Sequence, residues 1–286
     1  MSAPEIDPTQ ATSENLKRGV FVGISAAATL AATAPVDAQE ALGQPHPPLV
    51  AENDPAITVE HVKLALPDAV VPAYAAWPVG AGPNTPSVVV IMHIWGVDTS
   101  IRDVVRRYAK AGFAAIAPDL YARYGAPSGD GATDSSVFRP YAKELDRQVY
   151  AGDIRAAALW LSAKFPGTKI GLTGFCMGGH IAWNAAIDDA KLFTVVAPFY
   201  GAVAGVDPKA IVIPVCGSFG ARDTGIPAAD VRAFAAALTV PNDVHVYDEA
   251  GHAFFDDQRS AYVASAAADA WKRTLECFNK YLRTSQ

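Results

Sequence analysis

Three residues of the 286-residue chain have the types and spacing for nucleophilic acyl chemistry: Cys176, Asp223 and His252. Cys176 lies in Gly174-Phe175-Cys176-Met177-Gly178-Gly179-His180, between the apolar run "KIGLT" and the helix-like "IAWNAAIDDA". A strand, a sharp turn and a helix lift such a side chain to a tip above a helix N-terminus. Gly174, Gly178 and Gly179 allow the turn and the close approach of neighbouring backbone. The helix N-terminus favours negative charge, so it stabilises a thiolate and the oxyanion of a tetrahedral intermediate. The amide of Met177 is the first oxyanion donor expected there. Taken alone, the pattern also fits a buried cysteine in a Gly-rich turn.

A thiol nucleophile needs a base, and the base needs an orienting acid. Of the six histidines, His252 sits in "EAGHAFFDD", just after the last strand-like run. Asp223, in "GSFGARDTGIP", falls 47 residues after Cys176 and 29 before His252. Nucleophile, acid, histidine is the chain order of α/β hydrolases. Asp248, Asp256 and Asp257 are too near His252 along the chain to orient it and are expected to be solvated. His180, four residues into the helix, is expected to pack or support the site rather than face the thiol.

The elements that must position these residues alternate along the chain. Strand-like runs are "ITVEHVKLAL", "PAYAAWP", "SVVVIMH", "FAAIAPD", "KIGLTG", "FTVVAPFYG", "IVIPVCGS" and "DVHVYD". The middle ones are almost continuously apolar, as in strands covered on both faces. The first two alternate and suit an antiparallel edge pair. Helical spacing is found in "SIRDVVRRYAKAG", with Ser100 as N-cap, in residues 142–165, and in about 262–282. This alternation predicts one α/β domain, a mostly parallel twisted sheet of about eight strands flanked by helices, over residues 57–286. The Gly/Ser-rich loop from Tyr121 to Tyr141 follows a strand, where parallel sheets build their sites.

The remaining features bound the function. A net charge of −6 and a sequence pI of about 5.5 carry no basic patch for nucleic acid. Lys17-Arg18 precedes an uncharged apolar run, Gly19 to Ala34, short for a membrane span and right for an export signal. Residues 1–38 read as a Tat-like signal cleaved near Ala38, giving a periplasmic mature protein without a membrane anchor. Residues 39–56 read as an extended lead-in. Among the three cysteines, Cys216 falls in a strand-like run and Cys277 in the last helix, and both are expected to be small core residues.

The motifs together resemble the dienelactone hydrolase family, a cysteine branch of the α/β hydrolases. The resemblance rests on "HIWGVDTSIRDVVRRYAKAGFAAIAPDLYAR" (93–123), "GFCMGG" (174–179), "GARDTGIP" (220–227) and "GHAFFDDQRSAYVASAAADAWKRTLECF" (251–278), in family order. It implies the α/β-hydrolase fold and a Cys176–Asp223–His252 triad. It adds an oxyanion amide from Ile94 to that of Met177. The implied activity is cleavage of a small-molecule ester or lactone through a thioester, by a monomer, without metal or organic cofactor. Arg123 matches one of two arginines that grip a substrate carboxylate, while Asp256 stands where the second would be and is expected to repel an anion. His93 replaces a glutamate thought to regulate the thiol. Trp95, Tyr121, Phe138, Phe199, Tyr200 and Phe254 are candidates for an apolar pocket.

Alternative functions on the same fold are an acyltransferase or thioesterase, a peptidase, and a ligand-binding homologue without turnover. Amine acceptors in the assay would separate transfer from hydrolysis. Labelling of Cys176 by an acyl donor without turnover would mark a binding protein.

Overall fold

In the computed structural model, residues 44–283 are described; the expected signal over 1–38 and the start of the lead-in lie outside them. Eight strands form one sheet: β1 (Ile57–Ala65), β2 (Val70–Pro78), β3 (Ser87–Ile91), β4 (Ala114–Pro118), β5 (Ile170–Phe175), β6 (Val195–Phe199), β7 (Ser218–Gly220) and β8 (His245–Tyr247). Their spatial order is β1-β2-β4-β3-β5-β6-β7-β8. β1 pairs antiparallel with β2, and β2 antiparallel with β4; every other pairing is parallel. The alternating first two runs are thus the antiparallel edge. Every residue of β3, β4, β5 and β6 is buried, which is why those sequences are apolar without alternation.

Among the described residues six α-helices accompany the sheet: α1 (Thr99–Lys110), α2 (Arg139–Glu144), α3 (Arg147–Lys164), α4 (Met177–Asp188), α5 (Ala228–Ala237) and, after the last strand, α6 (Ala264–Leu282). The N-cap of α1 is Asp98, not Ser100: its carboxylate accepts from the amides of Ser100 and Ile101, 3.1 Å each. A carboxylate there satisfies two unpaired amides and meets the positive end of the helix. The run expected to be helical over 142–165 is broken at Leu145, where extended backbone ends α2, and Asp146 recaps α3.

The strand expected over "IVIPVCGS" is shorter than its apolar content suggests. Pro214 has no N–H to donate, and Val215 makes only isolated bridges, to Val196 and Asn242. The regular strand starts at Ser218. Cys216 and Cys277 are not independent core residues: they form a disulfide across 61 residues of chain, joining the approach to β7 to helix α6. Cys176 is the free cysteine.

The lead-in is fastened to α1. The amides of Leu49 and Val50 donate to the Asp103 carboxylate at 3.1 and 2.9 Å, and Arg106 returns a bond to the Val50 carbonyl at 2.6 Å. No helix among the described residues is long and apolar enough to cross a membrane.

Candidate active site

Cys176 sits between the end of β5 and the start of α4 with φ 55° and ψ −117°. A non-glycine residue held there stores roughly 1–3 kcal/mol of strain. The surrounding glycines are required by contact. A Cβ on Gly174 would lie 2.1 Å from the Gly178 carbonyl oxygen, and one on Gly178 would lie 2.3 Å from that of Met92. The elbow therefore packs backbone on backbone and leaves the Cys176 side chain half-buried at the tip.

His252, in the loop after β8, places Nε2 3.0 Å from the Cys176 sulfur. Its Nδ1 donates to Asp223 Oδ2 at 2.6 Å. The other oxygen, Oδ1, accepts from the amides of Gly225 and Ile226 at 2.9 and 3.1 Å, so the buried carboxylate is fixed on both sides. Burial opposes the Asp223 charge, but His252 and these amides outweigh it and hold the group below the usual carboxylate range. Burial likewise opposes a charge on His252. The hydrogen bonds and charges of Asp223 and Cys176 overcome it and push the imidazole up to about 10. Three residues from three loops thus form one hydrogen-bonded line.

Met177 is the first residue of α4, and its N–H belongs to the unpaired first turn. Ile94 lies in a turn after β3 closed by the Gly96 amide on the His93 carbonyl at 3.1 Å. The Tyr121 hydroxyl donates to the Ile94 carbonyl at 3.0 Å, and the same oxygen lies 3.8 Å from the Met177 sulfur.

Two hollows meet at the cysteine. One, of about 250 Å³, is walled by Ile94, Trp95, Ile101, Val104, Phe175 and Phe255, with His93, Ser100, Ser135, Arg139 and Asp256 as polar members. The other, of about 410 Å³, runs from Cys176 and His252 past His180, Ala202 and Thr224. His180 Nδ1 pairs with the Ala202 carbonyl at 2.8 Å, away from the thiol.

Several residues read as pocket members stand elsewhere. Arg123 is not among the lining residues; it is paired with Asp153 at 2.8 Å and Asp68 at 2.8 Å, which engage all three of its side-chain nitrogens. Phe254 is fully buried against Tyr200 and Tyr247 behind the wall. Phe138 and Phe199 are core, whereas Trp95 and Tyr200 do line hollows. Asp256 and Asp257 are buried rather than solvated. Asp256 accepts from Ser100 at 3.0 Å and pairs with Arg259 at 3.0 Å, so its charge is compensated. Asp257 pairs with Arg107.

Sequence reading missed the cluster behind the wall. His93 Nε2 donates to Asp98 Oδ1 at 3.0 Å, and Arg259 holds Asp98 Oδ2 at 2.8 Å. It also missed Arg139, at the mouth, the one arginine among the described residues with no hydrogen-bond or ion-pair partner. Asp98 and Arg259 are 161 residues apart and carry no mutual signal in one sequence; only the fold joins them.

A predominantly parallel sheet, a strained cysteine at the strand-to-helix turn and a histidine after the last strand define an α/β-hydrolase fold. The model of the "Dienelactone hydrolase family" matches residues 71–282, and the chain belongs to that family. A protein of Methylorubrum extorquens named "Putative carboxymethylenebutenolidase" is 38% identical over 236 residues, covering 77% of this chain and 80% of its own. The crystal structure of a "Putative Dienelactone Hydrolase" from Klebsiella pneumoniae superposes with a TM-score of 0.72 at 31% identity, covering 79% of this chain and all of that one. A dienelactone hydrolase-like promiscuous phosphotriesterase from metagenomic libraries matches with a TM-score of 0.65 at 27% identity, covering 79% and 99%.

Proposed function

We propose that the protein hydrolyses a carboxylic ester or lactone through a Cys176 thioester, with His252 as proton carrier and Asp223 as its orienting acid. The observation that carries the reading is the unbroken line from the Cys176 sulfur through His252 to Asp223. His252 takes the thiol proton, and the imidazolium beside the sulfur favours the thiolate. The thiolate attacks the carbonyl carbon; a C–S bond forms and the carbonyl π pair moves to oxygen. The Met177 and Ile94 amides receive that oxyanion. On collapse the C–O bond breaks, and the leaving oxygen takes the proton from His252. With a lactone the leaving alcohol stays tethered to the acyl group. His252 then draws a proton from water, hydroxide attacks the thioester, and the C–S bond breaks to restore the thiolate.

The apolar 250 Å³ hollow suits a small acyl or ring group. The test is hydrolysis of short aryl esters by wild type, Cys176→Ala and His252→Ala. The variants should lose at least a thousandfold in kcat/KM. Equal rates in all three would end the reading, and a covalent acyl adduct on Cys176 in rapid-quench mass spectrometry would support it.

We also propose that the chain is exported with loss of residues 1–38. The Cys216–Cys277 disulfide supports an oxidising compartment. A periplasmic extract whose mature N-terminus begins near Gln39 would agree; an intact Met1 in the cytosol would not.

A further inference from the structure

Tyr121 is buried, 4% exposed, in the turn after β4, and the mechanism above assigns it no step. Its hydroxyl has one proton and two neighbours. The Ile94 carbonyl at 3.0 Å is a strong acceptor in normal range, while the Met177 sulfur at 3.8 Å is a weak one. The proton therefore goes to Ile94, and the sulfur packs against the oxygen. The Tyr121 ring also lies on Gly96, where a Cβ would be 3.5 Å from the ring edge. The turn from His93 to Gly96 is thus tied inside by its own hydrogen bond and outside by Tyr121. Burial, and then the Cys176 charge, raise the Tyr121 hydroxyl's proton affinity, so it stays a donor across the working pH range beside the thiolate.

We propose that Tyr121 is a positioning residue that sets the spacing of the two oxyanion donors, by pinning the Ile94 turn while abutting Met177. The inference rests on the thioester reading above. Oxyanion stabilisation depends on donors placed before charge develops. Loss of the tether therefore weakens the transition state and leaves the thiol and ground-state binding intact.

The test is Tyr121→Phe, which keeps the ring and removes one hydrogen bond. For a short aryl ester, kcat should fall about tenfold, the effect of roughly one lost hydrogen bond, with KM within twofold. A peptide-like aldehyde, which adds the thiolate to form a hemithioacetal oxyanion, should bind about tenfold more weakly. Alkylation of Cys176 by iodoacetamide is the control. There the sulfur displaces iodide from carbon and no oxyanion forms, so its rate should stay within twofold. An alkylation rate that falls as far as kcat would reveal a distorted elbow and overturn the inference. So would unchanged aldehyde affinity. A wild type that is alkylated and binds aldehyde yet turns over no ester would sink the hydrolase reading alone, and the aldehyde ratio would still decide the role of Tyr121.

Discussion

Arg259 lies over the face of Trp95, its guanidinium carbon 3.6 Å from the ring centroid. From there it bonds Asp98 and Asp256 at once and also donates to the Ala132 carbonyl. One cation thereby pairs with two carboxylates at the site wall, holds the cap of α1 and clamps the aromatic wall residue. Replacing it with methionine would keep the stem and strand both buried carboxylates. Denaturant unfolding of Arg259→Met should show a loss of about 3 kcal/mol, in the range for a broken buried pair. Adding Asp256→Asn should restore part of it. Additive losses would show that the pairs are not coupled.

On the proposed mechanism, the raised pKa of His252 should set the alkaline limb of activity. The imidazolium is present at neutral pH and loses its proton as pH rises through about 10. With the ion pair as the reactive form, kcat/KM should be level from neutral pH to about 9 and fall above. Asp223→Asn removes the strongest contribution raising that value, so the limb should move toward the ordinary histidine range near 6.5. The same proton is held more tightly folded than unfolded. Its stabilisation is complete below about pH 6.5 and is lost as pH climbs to 10. A pH–rate profile of the two proteins, with melting scans alongside, checks both signs.

The disulfide closes a 61-residue separation between the sheet and the last helix. A loop of that length should contribute on the order of 4 kcal/mol by restricting the unfolded chain. The double variant Cys216→Ser/Cys277→Ser should therefore unfold at lower denaturant while keeping ester turnover at 25 °C. The native protein should show one titratable thiol, Cys176, with Ellman's reagent. Three thiols in the non-reduced protein would contradict the pairing.

Arg139 is exposed at the mouth of the smaller hollow and has no protein partner among the described residues. Since Asp256 is already paired with Arg259, the repulsion expected of it is reduced. Arg139→Ala should raise KM for a carboxylate-bearing lactone several-fold and leave a neutral aryl ester within twofold. The difference should shrink as salt screens the exposed charge. Equal changes for both substrates would deny the arginine a part in selecting charge.

The sheet was legible because burial on both faces writes itself as unbroken apolar runs, as in "SVVVI" and "FTVVAPF". The line of Cys176, Asp223 and His252 was legible because each follows a strand end in a fixed order. What could not be read was pairing between distant charges. Arg123, in "DLYAR", looks like a free ligand until the fold brings Asp68 and Asp153 to it. Asp256 looks like a surface carboxylate until Ser100, 156 residues away in the chain, folds over it. Cys216 and Cys277 carry no sign of each other, since a strand and a helix 61 residues apart meet only in three dimensions. Asp98 beat Ser100 to the cap because its carboxylate reaches two amides, the His93 ring and the Arg259 guanidinium together.

Cys176 and His252 stand on the partition between the two hollows, and each borders both. An acyl group seated on one side leaves the alcohol half on the other. On the proposed mechanism, the two products of a simple ester would then leave from different sides, the first while the second is still attached. A lactone, whose halves remain joined, must straddle the partition and leave whole. The same wall would thus make ester turnover sequential in its departures and lactone turnover a single release.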